Sequence, residues 1–179
     1  MPNFSRCRRK GTDNGTPLPR RETDAAAPHT SQHHGREQVM KRTGSAQWTG
    51  DLKSGKGTVS TSTGVLKDSP YSFSTRFENA PGTNPEELIA AAHAACYSMA
   101  LSGALAKAGF TPQKVSTTAA ATLEQVEGNW TITTIHLTLT ANVPGVPKNK
   151  FAEIAAEAKA NCPVSRVLKA NITLEATLQ

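Results

Sequence analysis

Two cysteines fall in patterned sequence, Cys96 and Cys162, and their chemistry sets the question. A thiol attacks as thiolate, and a free cysteine ionises only near a pH of about 8.5. A reactive cysteine therefore needs a cation or oriented N–H groups beside it. Cys96 sits in the middle of an Ala-rich stretch that reads as a helix, away from the favourable N-terminus, so its cation must come from elsewhere. Arg76, just before that helix, is the best candidate, and a carboxylate such as Glu86 can hold its guanidinium bidentately. Cys162 precedes Pro163 at a helix start, where backbone N–H groups and the helix dipole activate a thiol or support its leaving. A single cysteine pair is not a disulfide framework. In a reducing compartment it is either two buried thiols or a redox couple. His93, one turn before Cys96, has the chemistry of a base but reads as a helix residue, and we leave it outside the site. Glu87 reads as a solvated first-turn charge.

The element that must position Cys96 runs from Asn84 to Gly109. Asn84 is a helix N-cap, Pro85 occupies the first helical position, and Glu86 and Glu87 complement the dipole. Gly109 supplies the left-handed stop. Leu88, Ala92, Ala95 and Met99 follow the helical period and predict a buried stripe. Before it, residues 46–49 and 58–62 read as a strand hairpin around the loop Lys53-Ser54-Gly55-Lys56-Gly57, which lacks the spacing of a phosphate loop. Tyr71–Phe77 alternates aromatic and polar residues and predicts a half-buried strand, with Tyr71, Phe73, Thr75 and Phe77 on one face. After the helix, residues 115–126 and 130–143 alternate strictly and flank Glu127-Gly128-Asn129, where Gly and Asn supply a hairpin's backbone freedom. Residues 150–160 form an amphipathic helix with Phe151, Ile154, Ala155 and Ala158 on one side. A break at Asn161–Pro163, a short helical turn and a last strand over 171–178 complete an α+β pattern with an antiparallel sheet.

At 179 residues the chain has room for one sizeable domain. Residues 1–39 carry seven basic and four acidic side chains, so +3 of the net +6 belongs to this segment. It has few apolar residues, which predicts a disordered basic extension, with residues 40–179 as the domain and Met40 as an alternative start. Cys7 in that segment reads as incidental, and His29, His33 and His34 lack the partners of a designed metal site. No apolar run follows Met1, and we read no transmembrane span and no membrane role. The short Arg6–Lys10 cluster lacks interleaved aromatics, which argues against a nucleic-acid-binding arm.

Several runs resemble the osmotically inducible protein C family, OsmC. They are Gln47-Trp48-Thr49-Gly50, Gly57-Thr58-Val59-Ser60-Thr61, Thr75-Arg76-Phe77-Glu78, Gly82–Leu88, Ala91-Ala92-His93-Ala94-Ala95-Cys96, Val143-Pro144-Gly145 and Cys162-Pro163-Val164-Ser165. The resemblance covers the chain from about Met40 onward. It implies a thiol-dependent peroxidase, related to organic hydroperoxide resistance proteins, working as an interlocked homodimer in the cytoplasm in oxidative or osmotic stress. By that resemblance Cys96 is the peroxidatic cysteine and Cys162 the resolving one. Arg76 stabilises the thiolate and polarises the peroxide, and Glu86 holds Arg76. An external dithiol reduces the resulting disulfide, and neither metal nor other cofactor is implied. Tyr71, Phe73, Phe77 and Met99 either line an apolar peroxide pocket, favouring organic hydroperoxides over hydrogen peroxide, or pack the core. A thiol sensor or binding protein that oxidises without turnover is the alternative. Glu86 and Cys96 are ten residues apart, about 15 Å along a straight helix. The expected site is therefore composite, with Arg76 and Glu86 of one subunit serving Cys96 of the other.

Overall fold

The computed structural model describes residues 39–179, of which Lys41–Gln179 form one compact unit. The expectations for residues 1–38, including Cys7 and the three histidines, lie outside the described residues.

Two three-stranded sheets frame the unit. The first joins β1 (Gly44–Thr49), β2 (Lys56–Thr61) and β3 (Ser69–Ser72), all antiparallel. The loop between β1 and β2 is organised by Asp51, whose carboxylate accepts the backbone N–H groups of Lys53 and Ser54. It is a hairpin turn, as the sequence predicts. Gly57 of β2 has no room for a side chain. A Cβ there would lie 2.6 Å from the Gln47 carbonyl oxygen and inside the Tyr71 ring's contact distance.

The predicted strand over Tyr71–Phe77 is wrong beyond Ser72. Phe73–Phe77 is a short helix, α1, with Ser72 as its cap. The Ser72 hydroxyl accepts the Thr75 N–H at 3.2 Å, and Thr75 Oγ1 accepts the Ser72 N–H at 2.9 Å. This reciprocal box gives the backbone a local alternative to the sheet ladder, and it overrides the aromatic alternation. Phe73 and Phe77 are thereby brought a helical turn apart, ring centroids 4.8 Å from each other.

The long helix α2 spans Pro85–Lys107. Asn84 caps it, Oδ1 accepting the Glu87 N–H at 2.9 Å, and its Nδ2 donates to the Thr75 carbonyl at 3.3 Å. One residue thus ties the middle of α1 to the start of α2. At the other end Gly109 adopts a φ of +86°. The Gly109 and Phe110 N–H groups close back on Ala106 and Leu105, the pattern of a Schellman stop. The predicted buried stripe is displaced. The buried residues are His93, Tyr97, Leu101 and Leu105, whereas Ala92 and Ala95 are exposed and Met99 is 77% exposed. A helix apolar on nearly every side carries two candidate stripes. The one with the bulky Tyr and Leu side chains packs on the chain's own sheet. By length and composition alone α2 is long and apolar enough to cross a membrane, a test that the core helix of a globular protein also meets. It packs here against β4 and the following helix as a core element.

β4 (Lys114–Val126) and β5 (Asn129–Asn142) form a long hairpin. At its turn Glu127 and Gly128 take positive φ, while Asn129 already begins β5. Ile135, Leu137, Leu139, Ala141 and Val143 are buried, keeping the period of two. Helices α3 (Lys148–Asn161) and α4 (Pro163–Val167) lead to β6 (Asn171–Leu178). β6 runs parallel to β5, so this sheet is mixed rather than wholly antiparallel. The cause is the connection: two helices cross over the sheet before the chain returns, whereas a hairpin would reverse it. Phe151, Ile154, Ala155 and Ala158 of α3 are buried as predicted and close the core over Tyr97, Leu101 and Leu105. Tyr97 pins the helices together by donating its hydroxyl to the Ala155 carbonyl, 3.2 Å away.

Candidate active site: a thiol pair and an arginine–glutamate clamp

Cys162 stands at the junction of two helices. It closes α3, donating its N–H to the Ala158 carbonyl at 2.9 Å, and it is the N-cap of α4, with Pro163 next. The break that the proline enforces points the Cys162 side chain at α2. There its sulfur meets that of Cys96 at 3.2 Å, within a hydrogen bond. Both thiols are free. Cys162 is fully buried, and Cys96 is partly exposed. The pair expected from the sequence is therefore assembled across 66 residues of chain.

Electrostatics separates the two sulfurs. Burial pushes the Cys96 thiol up, and the neighbouring Cys162 adds to the rise against a donation from the Val164 N–H. Burial pushes Cys162 up as well, but there it is outweighed. The Ser165 N–H, the Cys96 thiol, the Ser165 hydroxyl and the Val164 N–H together bring Cys162 below its ordinary value. Within one protomer Cys162, at the start of α4, is thus the thiol favoured in its charged form, and among the described residues no cation acts on Cys96.

The candidate cation is held elsewhere in the chain. Arg76 of α1 faces Glu86 in the first turn of α2, Nη2 to Oε1 at 2.6 Å and Nε to both carboxylate oxygens at 3.1 Å. Its guanidinium also lies 5.2 Å from the Phe77 ring centre. Among the described residues the polar contacts of Arg76 are to Glu86, and neither thiol is among them. The structure brings together the two members of each predicted pair and leaves the pairs apart.

Beside the clamp lies a cavity of about 270 Å³, walled by Trp48, Leu52, Tyr71, Phe73 and Phe77 with Arg76 at its edge. Tyr71, Phe73 and Phe77 thus line one cavity together with Arg76. Met99 does not; it borders a separate opening between α2 and α3 with Ala104, Lys107 and Ile154. Trp48 and Leu52 escaped the sequence reading because they come from the other end of the first sheet. The pairing Trp48↔Gly57↔Tyr71 is what carries Trp48 there.

Two further residues stand at the thiol pair: His93, which the sequence reading left outside the site, and Ser165, to which it gave no role. His93 is fully buried, and its Nε2 lies 2.8 Å from Ser165 Oγ. Ser165 is the third residue of α4, the position from which a side chain turns back on the cap residue. The Cys-Pro-x-Ser spacing held that signal, and His93 shares the Cys96 face of α2 by its separation of three. Among the described residues no group of three or more His, Cys, Asp or Glu is arranged to hold a metal ion.

Residues 77–177 match the family model of OsmC-like proteins. Peroxiredoxin OsmC of Escherichia coli (strain K12) is 56% identical over 141 residues, which cover 79% of this chain and 99% of that protein. The organic hydroperoxide resistance protein of Xanthomonas axonopodis pv. citri (strain 306) is 33% identical over 98 residues, 54% of this chain and 67% of that one. Among solved structures, the organic hydroperoxide resistance protein OhrB of Bacillus subtilis superposes with a TM-score of 0.56 at 25% identity. That match covers 76% of this chain and 98% of that one.

Proposed function

We propose that this chain, which belongs to the OsmC-like protein family, is a cysteine-based peroxidase that reduces hydroperoxides in stress defence. The observation that carries the reading is the free Cys96–Cys162 pair at 3.2 Å, with the more accessible sulfur on α2. Cys96 thiolate attacks the peroxide's terminal oxygen; the O–O bond breaks, alcohol leaves with a proton, and Cys96 becomes a sulfenic acid. Cys162 then attacks the Cys96 sulfur and expels hydroxide, which leaves as water, giving a disulfide. An external dithiol reduces it in a cytoplasmic, reducing setting.

The working unit is a homodimer in which Arg76 and Glu86 of one subunit serve Cys96 of the other. Three features support this. Among the described residues of its own protomer no cation acts on Cys96, Arg76 is already oriented by Glu86, and the Ala92–Met99 face of α2 is apolar and exposed. All six residues of β1 are exposed as well. The aromatic cavity beside Arg76 supports organic hydroperoxides over hydrogen peroxide, since an apolar tail gains by leaving water there.

Steady-state consumption of an organic hydroperoxide, with dithiol reductants offered in turn, tests the reading. Turnover is expected to vanish in Cys96→Ser, and Cys162→Ser is expected to accumulate the sulfenic acid. A single round of oxidation without sustained consumption would instead establish a sensor.

A further inference from the structure

His93 is a buried titratable side chain of α2 that the peroxidase cycle leaves unused, and its surroundings are specific. The ring is fully buried, Nε2 meets Ser165 Oγ at 2.8 Å, and Nδ1 is buried with no partner among the described residues. The empty Nδ1 decides the tautomer. A buried N–H without an acceptor is rarer and costlier than a buried lone pair without a donor. The proton therefore belongs on Nε2, and Nε2–H donates to the Ser165 oxygen. Burial lowers the ring's affinity for a second proton, so the imidazole stays neutral. With its oxygen filled by His93, the Ser165 hydroxyl has its own hydrogen free, and from the third position of α4, three residues after the cap residue Cys162, it favours the charged form of that thiol.

We propose that His93 is a positioning residue for Cys162: it fixes the Ser165 hydroxyl as a donor, so that Cys162 is the sulfur that bears charge when it attacks and when it leaves. The inference rests on the two-cysteine reading above. It gives that cycle a direction in both halves. In disulfide formation the Cys162 thiolate is ready to displace hydroxide from the Cys96 sulfenic acid. In regeneration a thiolate of the external dithiol attacks the more accessible Cys96 sulfur, and the S–S bond breaks with its electron pair on Cys162. The dithiol's second thiol then displaces Cys96, so the reductant leaves as its own disulfide and both cysteines return reduced. The other titratable groups facing Cys162 are Cys96 and Tyr97, both from α2; α3 presents only Phe151, Ile154, Ala155 and Ala158 as its buried face.

The test isolates Cys162 in full-length protein carrying Cys7→Ser and Cys96→Ser, and follows its ionisation by the ultraviolet absorbance of the thiolate against pH. Adding Ser165→Ala or His93→Leu is expected to move the midpoint upward. Adding His93→Gln, which keeps an N–H donor, is expected to restore it toward the parent. In chains that retain both cysteines, disulfide formation from pre-formed sulfenic acid is expected to slow about tenfold in Ser165→Ala, the worth of one hydrogen bond to a charged sulfur. An unchanged midpoint in Ser165→Ala would overturn the proposal, as would equal shifts in His93→Leu and His93→Gln. Since the titration needs no peroxide turnover, its failure is distinct from failure of the peroxidase reading.

Discussion

Arg76 and Glu86 form a two-pronged ion pair, Nη2 to Oε1 at 2.6 Å, built entirely within one chain at the seam between α1 and α2. Glu86 is mostly shielded, with 12% of its side chain exposed, while Arg76 retains 35%. An arginine held this way has few ways to turn, and the rest of its guanidinium remains partly exposed. The target we propose for it is the Cys96 sulfur of the partner subunit.

A composite site predicts complementation between two dead chains. Cys96→Ser keeps the clamp and Arg76→Ala keeps the nucleophile, so each homodimer is expected to be inactive. Unfolding and refolding an equal mixture is expected to restore activity in about a quarter of the sites, because half of the dimers are mixed and each has one intact site. No recovery, with mixed dimers shown to form by mass, would place the whole site in one chain.

The clamp's geometry should matter beyond its charge. Arg76→Lys retains the cation but loses the planar fork that spans the carboxylate. We expect kcat/KM to fall about 10²-fold, comparable to losing a preorganised donor at a developing charge. A lysine variant as active as the parent would reduce Arg76 to a general electrostatic role.

The aromatic cavity should discriminate between peroxides. Trp48→Ala removes one wall without touching Arg76, Glu86 or either thiol. Its kcat/KM for cumene hydroperoxide is expected to fall roughly tenfold, the scale of a lost apolar contact in a binding pocket. Activity on hydrogen peroxide is expected to change much less. Equal losses on both substrates would remove this cavity from substrate recognition.

Burial of His93 predicts a stability profile with a definite sign. The folded ring binds its second proton less readily than the unfolded one, whose value is about 6.5. The unfolded chain therefore binds more protons as the pH drops below that value. This contribution is present above pH of about 6.5 and is lost as the pH falls through the folded group's lower value. Urea unfolding of the parent and of His93→Gln at a series of pH values checks it: the parent curve should slope downward towards acid over this window, and the variant's should be flatter.

Gly57 offers a structural counterpart. A methyl group there meets the Gln47 carbonyl and the Tyr71 ring, so Gly57→Ala must push β1 and β3 away from β2. We expect a loss of about 1–3 kcal/mol, typical of overpacking, together with a weakened preference for organic hydroperoxides. Thermal melts and the two-peroxide comparison would show both or neither.

The sequence by itself determined what is local and covalently near. The long helix was legible from Asn84, Pro85 and Gly109, because capping is chemistry within a few residues of chain. Alternation fixed β5, since period two over five apolar positions has no competing reading. The family resemblance singled out Cys96, Cys162, Arg76 and Glu86, and the structure assembles them as two pairs. What it did not determine were choices made by distant partners. Aromatic alternation in Tyr71–Phe77 looked like a strand until the Ser72–Thr75 box claimed the backbone. The buried face of α2 was undecidable in an Ala-rich helix, since apolarity on every side leaves the packing partner to choose. The roles of His93 and Ser165, 72 residues apart, exist only because α4 crosses α2. Tertiary structure decided these points for one physical reason: burial and hydrogen bonding depend on which groups meet in space, and pattern along the chain specifies that only for neighbours.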